Sequence, residues 1–363
     1  MNQSIRSRLA FGAPALVTVL LVASVSFAFG PPVSASSAPK VTTTLFAVKG
    51  TLSFGNSGPD PSIVAIDGRS IFLTGTFDRG KRSVADLIRV DRKSLTVAAS
   101  TRLPNVTSVA YGDEALWWAT GAPGPPNASN SPTPPQGRML LKVNPTSLKV
   151  LARFRLPGPT LLVTVDQGKV WVATPTALLR LNPDTGAIIA KVDLGLYPVA
   201  LTPSYNSAWL YVLGYLPGNH LILADFSADS GRAIDSRPYP NFSIGPLAVV
   251  RSGVWIPVQS TKTQSTTEQL FKGQHFTPSS SLGGFTFDTE GYVEGNTLWL
   301  IDTGGQGPTV CADPVNGSIR ARGGPVGVES GAMAFDAGST YLLRNIGTND
   351  ALLQIDPSSK CTG

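Results

Sequence analysis

Short apolar runs separated by polar turns recur along most of this chain. In each unit, an apolar strand is followed by a small turn that usually contains glycine or asparagine, and then by a strand with one aromatic residue. The aromatic residues are Phe72, Trp117, Trp171, Trp209, Trp255, Trp299 and Tyr341. They are 38 to 54 residues apart, a spacing that fits four short strands with their turns. The pattern therefore predicts seven repeated units.

A second pattern marks the later half of most units. An apolar run ends in Asp or Asn, often followed by Pro, and a turn leads into another strand, as in LIRVDRKSLTVAAS, LLKVNPTSLKVLARF, LLRLNPDTGAIIAKV, TVCADPVNGSIRAR and LLQIDPSSKCTG. Proline ends the strand, and the Asp or Asn side chain can accept hydrogen bonds from the backbone of the turn. The oxygens of Asn182, Asp184 and Thr185 alone would also suit a cation or a phosphate. Recurrence of the corner favours an architectural role.

These units predict an all-β fold, a seven-bladed β-propeller of four-stranded antiparallel blades. Radially arranged sheets bury their faces against neighbouring blades and leave only short edges exposed. The seventh unit ends after its third strand, whereas residues 42–54, TTTLFAVKGTLSF, precede the first unit without belonging to one. We expect this N-terminal strand to close the ring by adding to blade seven, so that residues 42–363 form a single propeller domain.

The segment LLRLNPDTGAIIAKVDLGLYPVALTP resembles the repeat of YVTN-type propellers, with its Asn/Asp turn and the Gly195 to Pro198 step into the next inner strand. Over most of residues 42–363 the chain is similar to the streptogramin (virginiamycin B) lyase-like seven-bladed propellers. The resemblance implies the fold, and these groups include enzymes as well as non-catalytic binding proteins. The Asp184 to Gly186 corner is also similar to that of quinoprotein propellers, but this chain lacks the tryptophan that follows there. We predict no cofactor.

The first 35 residues have the pattern of an export signal. Arg6 and Arg8 precede an uncharged stretch from Leu9 to about Gly30, and small residues follow it. We expect cleavage after Ala35 or Ala38, a short linker at residues 36–41, and a secreted, extracellular protein. The alternative is an envelope protein whose N-terminal segment stays uncleaved as a membrane anchor, since about 20 apolar residues can span a bilayer.

Composition and charge exclude several classes. With 42% hydrophobic and 14% charged residues, the chain can bury a large core. The net charge of +6 is mild for 363 residues and shows no long basic run, so no nucleic-acid partner is predicted, and a monomer is expected. Export makes Cys311 and Cys361 candidates for a disulfide. Two separate buried thiols are the alternative.

Candidate chemistry is sparse. His220 and His275, the only histidines, fall in outer-half or loop positions of their blades, where surface roles are expected, and no His/Cys metal spacing occurs. Propeller ligands usually sit at the channel mouth, beside the loops that lead into the inner strands. The candidates there are Asp60 before the first inner strand, Asp288 and Glu290 before the sixth, Glu329 before the seventh, and Tyr197 entering the fourth.

If blades six, seven and one are neighbours, these carboxylates could converge and bind a cation or a basic ligand. Plain solvation of the loops is the simpler alternative. We therefore predict a secreted or envelope-associated binding or scaffold module with an unknown protein or small-molecule ligand at the channel mouth. The alternative is a metal-assisted lyase or hydrolase at the same place, and the sequence leaves open whether the protein is an enzyme.

Overall fold

The computed structural model describes a chain built from β-strands. The described residues are 45–55, 62–78, 83–103, 106–120, 137–216, 220–239, 247–260, 265–272, 277–285, 289–302, 308–324, 328–336, 339–346 and 349–361. Every regular element within these stretches is a strand, and none of them contains a helix long and apolar enough to cross a membrane. The expected signal segment 1–35 and linker 36–41 lie outside the described residues.

The strands form seven four-stranded antiparallel sheets, which we call blades 1 to 7. The first strand, β1 (Phe46–Gly55), belongs to the last blade. Blade 1 contains β2 (Ser62–Ile66), β3 (Ser70–Asp78), β4 (Ser83–Asp91) and β5 (Thr96–Arg102). Blade 2 contains β6 (Ser108–Gly112), β7 (Ala115–Thr120), β8 (Met139–Val143) and β9 (Val150–Arg155). Blade 3 contains β10 (Leu162–Asp166), β11 (Lys169–Ala173), β12 (Ala177–Leu181) and β13 (Ile188–Asp193).

The remaining blades follow in the same order. Blade 4 contains β14 (Tyr197–Pro203), β15 (Trp209–Leu216), β16 (His220–Ser227) and β17 (Ala233–Tyr239). Blade 5 contains β18 (Ala248–Val250), β19 (Gly253–Ser260), β20 (Ser265–Lys272) and β21 (Thr277–Phe285). Blade 6 contains β22 (Thr289–Glu294), β23 (Thr297–Asp302), β24 (Thr309–Ala312) and β25 (Ile319–Gly323). Blade 7 contains β26 (Val328–Asp336), β27 (Ser339–Ile346), β28 (Asn349–Pro357) and β1.

The predicted seven-bladed β-propeller and its ring closure are both confirmed. Strand β1 pairs antiparallel with β28, with Phe46 opposite Pro357 and Leu52 opposite Leu352. The first strands of neighbouring blades pack side by side around the ring, among them β2 with β26 and β6 with β10. We call the four strands of each blade A to D from this inner side outward. One face of the ring, the corner rim, carries the A–B turns and C–D corners, and the opposite face, the loop rim, carries the passages between blades.

An aromatic side chain occupies the third position of strand B in every blade. Phe72, Trp117, Trp171, Trp255, Trp299 and Tyr341 are almost completely buried at this position. In blade 4 the third residue is Tyr211, 3% exposed, and the prediction of Trp209 is wrong. Trp209 begins β15 and is only partly buried, and its indole Nε1 donates a 3.0 Å hydrogen bond to the Tyr211 hydroxyl. The A–B turn of this blade, Ser204 to Ala208, moves the strand register by two residues.

The recurrent Asx motif forms the predicted corner between strands C and D. In blade 3 the Asn182 side-chain oxygen accepts hydrogen bonds from the backbone N–H groups of Asp184 and Thr185, at 2.9 and 3.0 Å. The Gly186 N–H then donates to the Asn182 carbonyl at 2.9 Å. Asp91, Asn144 and Asp313 accept the same pairs of hydrogen bonds in blades 1, 2 and 6. The side-chain oxygens of Asn182 and Thr185 therefore serve the turn, which supports the architectural interpretation.

In blades 1, 2, 4 and 6 the size of the fifth corner residue matches the aromatic residue of the preceding blade, whereas Gly186 in blade 3 faces Phe154. This corner residue has a positive φ in each case, and it is Gly231 or Gly317 where the preceding blade supplies Trp171 or Trp255. A Cβ on Gly231 would lie 2.6 Å from Val192 Cγ2 and 3.1 Å from the Trp171 ring, and a Cβ on Gly317 would lie 2.8 Å from the Trp255 ring. The corner residues are Leu148 and Leu95 where the preceding aromatics are the smaller Phe72 and Tyr341.

This complementarity predicts a coupled pair of substitutions at the junction of blades 3 and 4. Gly231→Leu is expected to destabilise the fold by about 1–3 kcal/mol, because the new side chain overlaps Val192 and the Trp171 ring. Trp171→Phe should recover part of that loss when both changes are combined. Denaturant midpoints of the parent, both single variants and the double variant measure the coupling, and additive effects would contradict the size matching.

The predicted disulfide is confirmed. Cys311 on β24 is bonded to Cys361, just after β28, across 50 residues of sequence, with the two Cα atoms 5.6 Å apart. Cys311 lies opposite Trp299 in the β23–β24 register, where Lys142 lies opposite Trp117 in blade 2 and Arg180 opposite Trp171 in blade 3. Those two cations reach the corner of the next blade. The disulfide therefore joins two neighbouring blades by a covalent bond at a position where blades 2 and 3 use hydrogen bonds to the next blade.

Candidate functional site

Three of the predicted ligand residues, Tyr197, Glu290 and Glu329, lie near the start of a strand A, on the loop rim. Asp60 and Asp288 lie outside the described residues, so their contribution stays a prediction. Glu290 and Glu329 are the second residues of β22 and β26, and Tyr197 is the first residue of β14. The sequence placed both glutamates in the loops before their strands. The structure corrects this placement, because strands β22 and β26 begin before the apolar residues that marked them in the sequence.

Glu290 is a buried carboxylate on the innermost strand of blade 6. Its exposed fraction is 7%, and one carboxylate oxygen accepts a short hydrogen bond from the Tyr292 hydroxyl. Tyr292 also packs against a core cluster that includes Met333 on β26, so this side of β22 faces blade 7. A carboxylate loses hydration when it is buried and therefore needs polar partners. Glu290 is therefore a buried carboxylate with a fixed hydrogen-bond partner, and it differs in this from a carboxylate in a solvated loop.

Glu294 extends the same side of β22 toward the corner rim. Its carboxylate accepts a 3.1 Å hydrogen bond from the Thr340 hydroxyl on β27 of blade 7. Burial raises the pKa of this carboxyl, and the Thr340 hydrogen bond offsets part of the increase. Strand alternation places Glu290, Tyr292 and Glu294 on one side. The innermost strand of blade 6 therefore carries two carboxylates and a phenol on the side that faces blade 7.

Two tyrosines form the corresponding part of the loop rim in blade 4. Tyr197 on β14 lies directly opposite Tyr215 on β15, and both are half-buried. Burial raises the pKa of both phenols above an ordinary value that already keeps them neutral near pH 7, and a neutral phenol can donate a hydrogen bond. Gly214 permits this arrangement, because a Cβ there would lie 2.5 Å from the Tyr197 carbonyl oxygen.

Tyr215 was not among the residues predicted from the sequence, and the role of Tyr197 stays a prediction. Tyr215 lies near the end of an aromatic-rich strand, and this was the signal in the sequence that could have indicated it. Its pairing with Tyr197 depends on the β14–β15 register, which the unusual A–B turn of blade 4 sets. Directly opposite residues of an antiparallel pair present their side chains on the same face of the sheet. The pair Tyr197–Tyr215 therefore offers adjacent aromatic rings with polar ends, a surface suited to stacking and hydrogen bonding.

The histidines and acidic groups of the described residues form no metal site. His220 is exposed and begins β16, a strand of the outer half of its blade, as the sequence indicated. His275 lies outside the described residues. Within the part of the chain that the structure describes, no three His, Cys, Asp or Glu side chains come together in a group that could hold a metal ion. The described candidate groups beside the inner strands of the loop rim are the Glu290 carboxylate and the Tyr197 and Tyr215 phenols.

Solved propellers resemble this structure at low sequence identity. BamB from Moraxella catarrhalis has a TM-score of 0.53 at 13% identity, covering 84% of this chain and 85% of its own. Hydrazine synthase from Kuenenia stuttgartiensis has a TM-score of 0.58 at 12% identity, covering 89% and 99%. BBS1N, solved in complex with ARL6DN, has a TM-score of 0.57 at 13% identity, covering 87% and 98%.

These similarities establish the propeller fold alone. The chain matches no protein-family profile, and no curated protein matches it in sequence. The resemblance to YVTN-type and streptogramin lyase-like propellers therefore rests only on the sequence repeats given above. The propellers that resemble this structure include one named as an enzyme and one solved with a protein partner. Function has to be argued from the residues of this chain.

Proposed function

We propose that this protein is an exported binding or scaffold propeller that holds its ligand on the loop rim, at the mouth of the central channel. The observation that carries the proposal is the buried Glu290, held by Tyr292 on an innermost strand. Asp60, Asp288 and Glu329 are proposed to add acidic groups nearby, and Tyr197 with Tyr215 to add an aromatic surface. This combination suits a cationic ligand, either a basic segment of a partner protein or a small molecule.

Export is the second part of the proposal. The N-terminal 35 residues have a signal-like pattern, and the Cys311–Cys361 disulfide is of the kind that persists in oxidising compartments. A secreted protein and an envelope protein anchored by the uncleaved segment differ in the N-terminus of the mature chain. Mass spectrometry of the protein from culture medium and from membranes distinguishes them. A mature chain beginning at Ser36 or Pro39 in the medium supports secretion.

A thermal-shift screen tests the ligand site. The mature chain is heated with spermidine, with an arginine-rich peptide, and with divalent cations alone, each as a separate probe. A cation that binds only the folded chain at about 100 times its Kd stabilises it by about 2.7 kcal/mol. We expect spermidine or the peptide to raise the unfolding midpoint, and Glu290→Gln and Tyr197→Phe to reduce that rise.

Glu114→Gln is the matched control, because Glu114 is an exposed glutamate on the corner rim. The control variant should respond to the probes as the parent chain does. Equal shifts in all four proteins would contradict the site. A midpoint that rises only with a divalent cation and loses that response in Glu290→Gln would instead favour the metal-assisted lyase or hydrolase.

A further inference from the structure

The outermost strand of blade 2 presents an unusually basic edge. In β9 the exposed side chains are Leu151, Arg153 and Arg155, alternating with partly buried ones. The exposed Lys149 precedes the strand, and the exposed Arg138 lies beside its end on the neighbouring chain segment. Residues 137–156 contain no Asp or Glu. We call Arg138, Lys149, Leu151, Arg153 and Arg155 the β9 edge surface.

The cations of this surface have no counter-ion among the described residues. No ion pair or side-chain hydrogen bond joins Arg138, Lys149, Arg153 or Arg155 to another described group. In blade 3, by contrast, Lys169 pairs with Asp229 at 2.6 Å and Lys191 with Asp193 at 3.3 Å. The β9 edge surface is therefore a patch of uncompensated positive charge.

The backbone of β9 also has an open edge. Strand β9 is the last strand of its sheet and pairs only with β8. The Leu156 N–H donates to the Arg138 carbonyl at 2.8 Å, which fixes the alternation of the ladder. Backbone groups of Phe154 therefore point toward β8, and those of Arg153 and Arg155 point outward. The outward hydrogen-bonding groups thus belong to the same residues that carry the exposed guanidinium groups.

The charge pattern selects among possible occupants of this edge. A second copy of the chain pairing through its own β9 would set cations against cations, which is destabilising, and charged edges commonly prevent such self-pairing. Protection against self-pairing accounts for the arginines. Leu151 is 56% exposed among them, and Val97, Ile189 and Ile234 are exposed at the same place in β5, β13 and β17, so the positive charge is what distinguishes this edge. An acidic strand with one apolar residue complements all of these features.

We propose that the β9 edge surface binds an extended acidic polypeptide segment by β-strand addition. Main-chain hydrogen bonds to Arg153 and Arg155 supply the pairing, and alternate side chains supply the selectivity. The expected segment carries acidic residues opposite Lys149, Arg153 and Arg155 and an apolar residue opposite Leu151. This surface lies on the outer edge of blade 2 and is distinct from the proposed site on the loop rim.

A labelled synthetic peptide with this pattern, SETETVTES, tests the proposal with the mature chain by fluorescence anisotropy. We expect saturable binding that weakens as salt is added, because the contacts are exposed charges. The double variant Arg153→Glu, Arg155→Glu should weaken binding roughly tenfold or more, since two exposed attractive pairs become repulsive. Thermal melts of each variant show whether it is folded.

Two controls separate strand addition from simple attraction between charges. Lys191→Glu changes an exposed cation on the outer strand of blade 3, and this variant should bind the peptide as the parent chain does. Two further peptides carry N-methyl groups at alternate backbone nitrogens, the first along one edge of the extended peptide and the second along the opposite edge. Both keep the charge of SETETVTES. One of the two should lose binding, because only one edge pairs with β9. Equal binding by both methylated peptides, unchanged binding to the double variant, or no binding of SETETVTES to the parent would each overturn the proposal.

Discussion

Trp255→Ala is expected to lower the free energy of unfolding by about 3–5 kcal/mol. The Trp255 side chain is fully buried, and its indole Nε1 donates a 2.8 Å hydrogen bond to the Pro314 carbonyl in blade 6. Its ring also packs against the Gly317 corner of that blade. Truncation leaves a cavity between two blades and a buried carbonyl without its donor. Urea unfolding followed by circular dichroism measures the change.

Trp209→Ala is the matched control for this prediction. Trp209 is also a tryptophan of strand B, but it lies two residues before the buried aromatic position and remains partly exposed. Its indole donates to the Tyr211 hydroxyl within the same blade. We expect less than half of the effect of Trp255→Ala, because a partly exposed side chain leaves a smaller cavity. Equal losses would contradict the assignment of Tyr211 as the inter-blade aromatic of blade 4.

Much of the fold was accessible from sequence because its determinants are local. The Asx residue of a C–D corner bonds the backbone only two and three residues away, so the motif at Asn182 is complete within its own segment. The aromatic of strand B follows its turn at a nearly constant distance. The missing fourth strand of blade 7 could be matched to the unassigned N-terminal strand, because a blade without strand D exposes an edge.

The misplaced residues depend on pairing between distant or irregular segments. In blade 4 both Trp209 and Tyr211 fit the alternation of the strand, and only the hairpin register, with Thr202 opposite Tyr211, distinguishes them. Glu290 precedes the apolar residues of its strand, so the sequence could not show that it pairs with Ile301 inside the sheet. Whether Arg153 has a counter-ion depends on residues that are distant in sequence and close in space, so the sequence could not predict it.

Removal of the Cys311–Cys361 disulfide is expected to destabilise the fold by about 4 kcal/mol, the loop-closure entropy of a 50-residue loop. With about 2.1 cal/mol/K of unfolding entropy per residue, this loss lowers the melting temperature of the propeller by about 6 °C. Cys361→Ser, Cys311→Ser and the reduced parent chain should all show it. Differential scanning calorimetry with and without dithiothreitol measures the shift, and a reductant should not change the melting of either variant further.

The hydrogen bonds around Cys361 allow the covalent contribution to be separated from packing. The Cys361 carbonyl accepts hydrogen bonds from the Thr297 hydroxyl at 2.6 Å and the Arg320 guanidinium at 3.1 Å. Because the acceptor is the backbone oxygen of residue 361, both bonds can persist in Cys361→Ser. Because β28 pairs with β1, loosening the chain end should weaken ring closure first. We therefore expect faster amide exchange in β1 and β28 than in β10 to β13 when the disulfide is absent. A cross-link between blades 6 and 7 acts mainly on the strands that it joins. Equal acceleration of exchange in all blades, or an unchanged melting temperature, would therefore mean that the disulfide does not secure the ring closure.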